Sequence, residues 1–177
     1  MLAPSLLCAA LAAVPPPEKQ CLFSGATLRN QTGALVSCSR FAGRHVALYF
    51  AGEWCPRCRG FTPALRAFYH EYADTTDIVF VSSDLSAEAA RSHFEGSQGG
   101  WLALDWADPL AAALKRRYRV WSGLEMAEFG TSRRSGVPAV ALVDAQGEEV
   151  AFLPAEREGA RALTRFSRDW RRWPEEL

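Results

Sequence analysis

Two cysteines separated by two residues, Cys55 and Cys58, are the pair in this 177-residue chain best placed to do chemistry. They sit in the run Trp54-Cys55-Pro56-Arg57-Cys58. An apolar stretch precedes it and an amphipathic stretch follows, so the pair falls where a buried strand hands over to a helix. Free backbone N–H groups and the positive end of the helix dipole collect there. A thiolate at Cys55 is favoured by both, and thiolate is the attacking species in disulfide exchange. Cys58, one turn further in, is spaced to attack a mixed disulfide on Cys55 and release the reduced substrate. Pro56 suits the first helical turn because no amide donor is needed there. Arg57 adds positive charge between the two sulfurs. Glu53 reads as an exposed loop carboxylate. The other use of such a pair is half of a zinc site. That requires a second pair or histidines at ligand spacing, and His45, His70 and His93 stand alone, so no metal is expected.

The elements that must position the pair can be read from periodicity. His45 to Ala51 is a near-continuous apolar run, expected to be a strand buried on both faces. From Pro56 to about Ala73, Phe61, Leu65, Phe68 and Tyr72 recur at helical spacing and line one face. Asp77 to Ser82 is a second buried strand. Ser86 caps a helix reaching about Glu95. Asp108-Pro109 starts another, carrying Leu110, Leu114 and Tyr118. Trp121 to Ser135 is polar and glycine-bearing, expected as a surface loop with about one helical turn. Val137 to Val143 and Glu149 to Leu153 form strands around a turn at Ala145-Gln146-Gly147. A last helix spans about Ala155 to Trp173, with Leu163, Phe166, Trp170 and Trp173 on one stripe. Near the start, Thr27 to Asn30 and Leu35 to Cys38 flank Gly33 as a small hairpin. Alternating strands and helices in the middle demand a parallel pair joined by crossovers. An α/β fold follows, with a mixed central sheet flanked by helices on both faces.

Composition narrows the function further. The formal net charge is zero, which gives no general pull toward nucleic acid or anionic lipid. No apolar run is long enough to span a bilayer. Residues 1–21 read as an N-terminal tail. Their apolar start resembles a weak signal segment, but no Lys or Arg precedes Lys19, and Pro15-Pro16-Pro17 forms a stiff linker. The folded domain is expected over 22–177. Cys8, Cys21 and Cys38 read as inert, because nothing nearby would activate them. Arg161, Arg165, Arg168 and Arg172 read as a solvated face of the last helix.

Val46 to Leu65 reads Val-Ala-Leu-Tyr-Phe-Ala-Gly-Glu-Trp-Cys-Pro-Arg-Cys-Arg-Gly-Phe-Thr-Pro-Ala-Leu. It resembles the tryparedoxin and nucleoredoxin branch of the thioredoxin superfamily, whose members carry Trp-Cys-Pro-Pro-Cys-Arg-Gly/Ala-Phe-Thr-Pro at this place. Val79 to Asp84, Trp101-Leu102-Ala103-Leu104 and Gly136-Val137-Pro138 match further motifs of that branch. The resemblance implies a thioredoxin fold, with Cys55 and Cys58 catalytic and Trp54 and Pro56 supporting them; Arg57, which the branch lacks, supports them by its charge alone. It implies a cis-proline at Pro138, a bond that costs only about 0.5–1 kcal/mol in the cis form. That turn would expose backbone of Val137 for strand-like pairing with substrate. Trp54 and Trp101 are candidates to shape the peptide groove and bind substrate, though core or edge packing is the favoured use of Trp101. The implied activity is reduction of disulfides in client proteins without a bound cofactor, recharged by an upstream dithiol or flavoprotein reductase. The alternative is a redox-dependent binding or regulatory protein of the nucleoredoxin kind. A cytoplasmic location is expected; a secretory or organellar one, with an oxidant or isomerase role, follows if residues 1–14 act as a signal. Three departures from the branch stand out: Arg57 for the second proline, Asp105-Trp106 for Pro-Phe, and a longer 121–135 stretch; Tyr49 in place of the buried Asp of thioredoxin proper is usual for the branch.

Overall fold

The computed structural model describes residues 21–144 and 146–164. Six strands form one sheet in the order β1-β4-β3-β2-β5-β6. They are β1 (Leu28–Arg29), β2 (His45–Ala51), β3 (Thr76–Ser82), β4 (Leu102–Leu104), β5 (Ala139–Val143) and β6 (Glu149–Leu153). β2 pairs in parallel with β3, and β3 with β4, while β1, β5 and β6 join antiparallel. The expected parallel centre and antiparallel tail are both present.

Every residue of β3 is buried. Successive side chains of a strand point to opposite faces, so both faces of the sheet are covered. Tyr49 and Phe80 stand opposite each other in register. On their side Phe61 of α1 (Pro56–Tyr72) packs against Tyr49, while His93 and Phe94 of α2 (Ala87–Ser97) pack against Phe80. α1 buries Phe61, Leu65 and Phe68, the stripe expected from spacing, and leaves Tyr72 half-buried. Ser86 caps α2 by accepting from the Ala89 amide at 3.1 Å. Asp108 caps α3 (Pro109–Tyr118) by accepting from the Leu110 amide at 2.9 Å.

Several expectations are corrected. β4 was not expected as a strand, since three residues are too few to show a period. The N-terminal hairpin is reduced to a tight turn with one bridge, Arg29 to Leu35, closed by the Asn30 amide on the Ala34 carbonyl and the Val36 amide on the Leu28 carbonyl, each at 3.0 Å, while β1 pairs with β4 through its other edge. Cys38 to Phe41 forms a 3-10 turn instead. The closing helix stops after α5 (Ala155–Glu158), at Gly159 with φ of 55°, and a further helical turn covers 161–164. Leu163 is buried as expected. Phe166, Trp170, Trp173, Arg165, Arg168 and Arg172 lie outside the described residues, as do Cys8 and residue 145.

Cys21 and Cys38 are not separate thiols. They form a disulfide across 17 residues, beside the packed rings of Phe23 and Phe41. Their neighbour Arg40 joins Arg44 in holding the fully buried Asp77 carboxylate, each at 2.7 Å. The bottom of the sheet is therefore tied to the N-terminal segment. The cysteine pair lies at its other end, beyond the carboxyl terminus of β2.

Candidate active site

β2 ends at Ala51, and the next four residues turn the chain into α1. Gly52 is required in that turn. A Cβ there would lie 2.6 Å from Nε1 of Trp54, whose indole folds back to donate to the Ser83 carbonyl at 3.0 Å. Cys55 is the N-cap of α1, and Pro56 takes the first helical position. The Cys55 sulfur accepts from the Cys58 amide at 3.3 Å, so one orphan donor of the helix end already points at it. The peptide bond from Val137 to Pro138 is cis, as expected. It brings the Val137 carbonyl to 3.6 Å from the Cys55 sulfur, whose S–H donates to it.

The two thiols are unequal. Cys55 keeps 5% of its surface exposed and Cys58 none. Burial pushes the Cys58 thiol far above its ordinary range, and the hydrogen bond to Cys55 and the charges of Cys55 and Asp84 push the same way. Cys58 thus waits as a protonated thiol behind the reachable Cys55. Tyr49, in the position of thioredoxin's buried Asp, places its hydroxyl 3.0 Å from Thr62 Oγ1, which donates to the Cys58 carbonyl at 2.9 Å. Burial raises the Tyr49 phenol as well, so it stays neutral.

A buried network outside the motif holds the loop. Asp84 Oδ1 accepts from the Glu53 amide at 2.7 Å, and Oδ2 accepts from Ser82 Oγ at 2.8 Å. Oδ2 also lies 2.9 Å from Nδ1 of His93, and Nε2 of His93 lies 2.8 Å from Nε2 of Gln98. The Asp84 carboxyl sits below its ordinary range. Burial opposes this, but the bonds from His93, the Glu53 amide and Ser82 outweigh it. Trp106 adds an anchor, its Nε1 donating to the Asp84 carbonyl at 2.9 Å. Glu53 serves through its backbone; its side chain is exposed.

The 121–135 stretch forms a closed, organised loop, with a 3-10 turn (Gly123–Glu125) running into α4 (Met126–Phe129). Val120 bridges Ser135 at its base, and Arg133 Nη1 donates to the Trp121 carbonyl at 3.0 Å. Lys115 clamps it to the sheet, donating to Glu125 and, at 2.7 Å, to the Ser82 carbonyl. Burial opposes ionisation of Glu125, but the Lys115 charge lowers its pKa overall. Ser122 and Gly123 are thereby set beside Cys55, where a groove of about 320 Å³ opens between them, Trp54 and Val137.

The expected site residues Trp54, Cys55, Pro56, Arg57 and Val137 meet at this groove. Cys58 lies behind them, fully buried. Trp101 does not reach the groove, which corrects its candidacy for substrate binding: it is 1% exposed, packed edge-on against Tyr49 and Tyr69, and belongs to the core, its favoured use. Asp84, His93, Ser122, Arg133 and Glu156 escaped sequence reasoning, although Asp84 sits at the end of a recognised strand motif. Among the described residues no cluster of His, Cys, Asp or Glu could hold a metal ion, and no helix is long and apolar enough to cross a membrane.

Comparison with known proteins agrees with this geometry. The thioredoxin-like family profile matches residues 43–149. Probable nucleoredoxin 1 of Arabidopsis thaliana is 32% identical over 147 residues, 80% of this chain and 25% of that protein. Human nucleoredoxin is 32% identical over 133 residues, 73% of this chain and 27% of the relative. The chain thus spans about a quarter of these relatives. Tryparedoxin of Trypanosoma brucei brucei is 38% identical over 82 residues, 45% of this chain and 56% of that protein. Among solved structures, thioredoxin from Wuchereria bancrofti superposes with a TM-score of 0.65 at 28% identity, covering 84% of this chain and 99% of that one. Tryparedoxin I from Leishmania major, at 24% identity, shares the fold with a TM-score of 0.61, covering 82% and 89%.

Proposed function

Because this chain belongs to the thioredoxin-like family, in its tryparedoxin and nucleoredoxin branch, we propose that it reduces protein disulfides through Cys55 and Cys58. One observation carries the reading. A reachable Cys55 lies against the cis turn at Val137, with a buried, protonated Cys58 one helical turn behind it. Cys55 thiolate attacks a client disulfide. One client sulfur leaves as thiolate and the other stays bonded to Cys55. Cys58 then passes its proton to the client thiolate just released and attacks Cys55, the second client sulfur leaves as thiolate, and the enzyme ends with a Cys55–Cys58 disulfide. Two electrons have passed to the client. An external dithiol or a flavoprotein reductase supplies two more, reducing the Cys55–Cys58 disulfide again. Val137 backbone pairs with the extended client segment, as an added strand would. Turbidimetric insulin reduction with dithiothreitol tests the reading: wild type accelerates precipitation and Cys55→Ser abolishes the gain. No acceleration by wild type refutes it.

A second reading rests on the Cys21–Cys38 disulfide. Such bonds persist in oxidising compartments and are rare in cytosol. In such a compartment the Cys55–Cys58 pair works as an oxidant or isomerase. Its reduction potential against glutathione separates the two: a cytosolic reductase lies below the glutathione poise, an oxidant above it.

A further inference from the structure

Besides the acid Glu156, three polar side chains outside the dithiol chemistry line the groove beside Cys55: Arg57, Ser122 and Arg133. Arg57 stands where the branch has proline, and the other two come from its longer loop. Their charges do not cancel. Glu156, the acid at this groove, is already committed. Its Oε2 accepts from the Gly136 amide at 2.6 Å and its Oε1 from Arg133 Nη2 at 3.3 Å. Arg133 is likewise committed, to Glu156 and to the Trp121 carbonyl. Arg57 donates one N–H, from Nη1 to the Glu156 carbonyl at 3.0 Å, and is otherwise exposed. The uncompensated charge of the groove is therefore the Arg57 guanidinium, next to the positive end of α1.

Ser122 supplies an independent pointer. It is 1% exposed and lines the same groove. Its amide donates to Glu125 Oε2 at 2.8 Å, and its hydroxyl faces the Glu125 amide in a capping box. The Glu125 amide and carboxylate both neighbour this hydroxyl and its dipole helps lower the Glu125 pKa, but neither meets it in ordinary hydrogen-bond geometry. A buried hydroxyl without a partner costs stability unless something else completes it. A guanidinium with free N–H groups, an uncommitted hydroxyl and the half-exposed face of Trp54 suit one ligand chemistry, a carboxylate on a short aliphatic stem.

We propose that this groove selects disulfides flanked by a carboxylate, with Arg57 as the specificity-determining residue and the Ser122 hydroxyl as second donor. The inference rests on the reductase reading and names its substrate class. The carboxylate comes either from an acidic side chain beside the client cysteine or from a small peptide disulfide such as oxidised glutathione.

The test uses the Cys58→Ser variant, which stops at the mixed disulfide. Three peptide disulfides, matched except for Asp, Asn or Lys beside the cysteine, are reacted with it at low salt, and bond formation is followed by intact mass. The Asp peptide is expected to react about fivefold faster than the Asn peptide, as suits one partly screened ion pair, with the Lys peptide slowest. Adding Arg57→Gln is expected to collapse the Asp-to-Asn rate ratio to one, whatever its effect on the common rate of the three peptides, and Ser122→Ala to shrink that ratio. The ranking is expected to fade at high salt. Oxidised glutathione separates the sources: a rate matching the Asp peptide assigns the small-peptide source, a slower rate the client chain. Equal rates for all three peptides, or a ranking that survives Arg57→Gln, overturn the inference and leave the reductase reading standing. Failure of every peptide to form a mixed disulfide overturns both.

Discussion

Replacing Asp84 by Asn tests whether a network outside the Cys55–Cys58 motif holds the active-site loop. In the wild type one carboxylate accepts from the Glu53 amide, Ser82 Oγ and His93 Nδ1, at 2.7, 2.8 and 2.9 Å. Its side chain is 1% exposed. Asn preserves the shape but offers one oxygen and one NH₂. Whichever way the amide turns, the NH₂ faces at least one donor. Hydrogen bonds to a charged group contribute about 1.5–3 kcal/mol, against about 1 for neutral pairs, and a buried orphan donor costs about 1–3. With the NH₂ turned toward the Glu53 amide, two weakened bonds and one orphan donor come to about 3 kcal/mol. At about 2–4 °C per kcal/mol for a domain of this size, the melting temperature falls by about 6–12 °C. The assay is thermal unfolding by circular dichroism at neutral pH, with Glu53→Ala as control. That control is expected to be near neutral, because Glu53 serves through its amide. The pH dependence adds a second check. The folded Asp84 carboxyl titrates below its ordinary value of 3.8, so its contribution is complete above that pH and is lost as pH falls through the folded value. The gap between wild type and Asp84→Asn therefore closes in acid. A shift under about 2 °C at neutral pH, or a gap that widens in acid, refutes this role for Asp84.

Further expectations concern other parts of the molecule. With Cys58 fully buried and its thiol pushed upward by burial, iodoacetamide at neutral pH should label Cys55 and spare Cys58, as peptide mapping would show. In Cys55→Ser, labelling of Cys58 should rise as the pH is taken alkaline. Gly99→Ala places a Cβ about 2.2 Å from the ring of buried Trp101, so it should cost about 1–3 kcal/mol in chemical denaturation. Cys38→Ser opens a 17-residue loop and should lower stability by about 3 kcal/mol, with insulin reduction per folded molecule unchanged because the disulfide lies at the far end of β2 from Cys55.

Local signals made much of this fold legible. The apolar run His45 to Ala51, the caps Ser86 and Asp108, and the Phe61, Leu65, Phe68 stripe each carry their own period or end marker, and each appears where expected. Pro138 was legible only through resemblance, since a cis bond leaves no mark in a single sequence. What escaped was non-local. Cys21 and Cys38 become partners only because the 3-10 turn folds against the N-terminal segment. Asp84, His93 and Gln98 follow no single period, because the first lies two residues past the end of β3 while the others ride on the next helix and its cap. β4 was too short to show alternation. Gly159, which ends α5, was visible in the sequence, but the longer aromatic stripe beyond it suggested continuity.

The most direct test of the central claim identifies which sulfur attacks. Cys58→Ser and Cys55→Ser would each be mixed with a peptide disulfide, and the linked cysteine mapped by mass spectrometry. Cys58→Ser should accumulate the peptide on Cys55 within the mixing time, while Cys55→Ser stays unmodified at neutral pH. Rapid capture of the peptide by Cys58 in the Cys55→Ser protein would contradict the assignment of Cys55 as nucleophile and Cys58 as the buried resolving thiol.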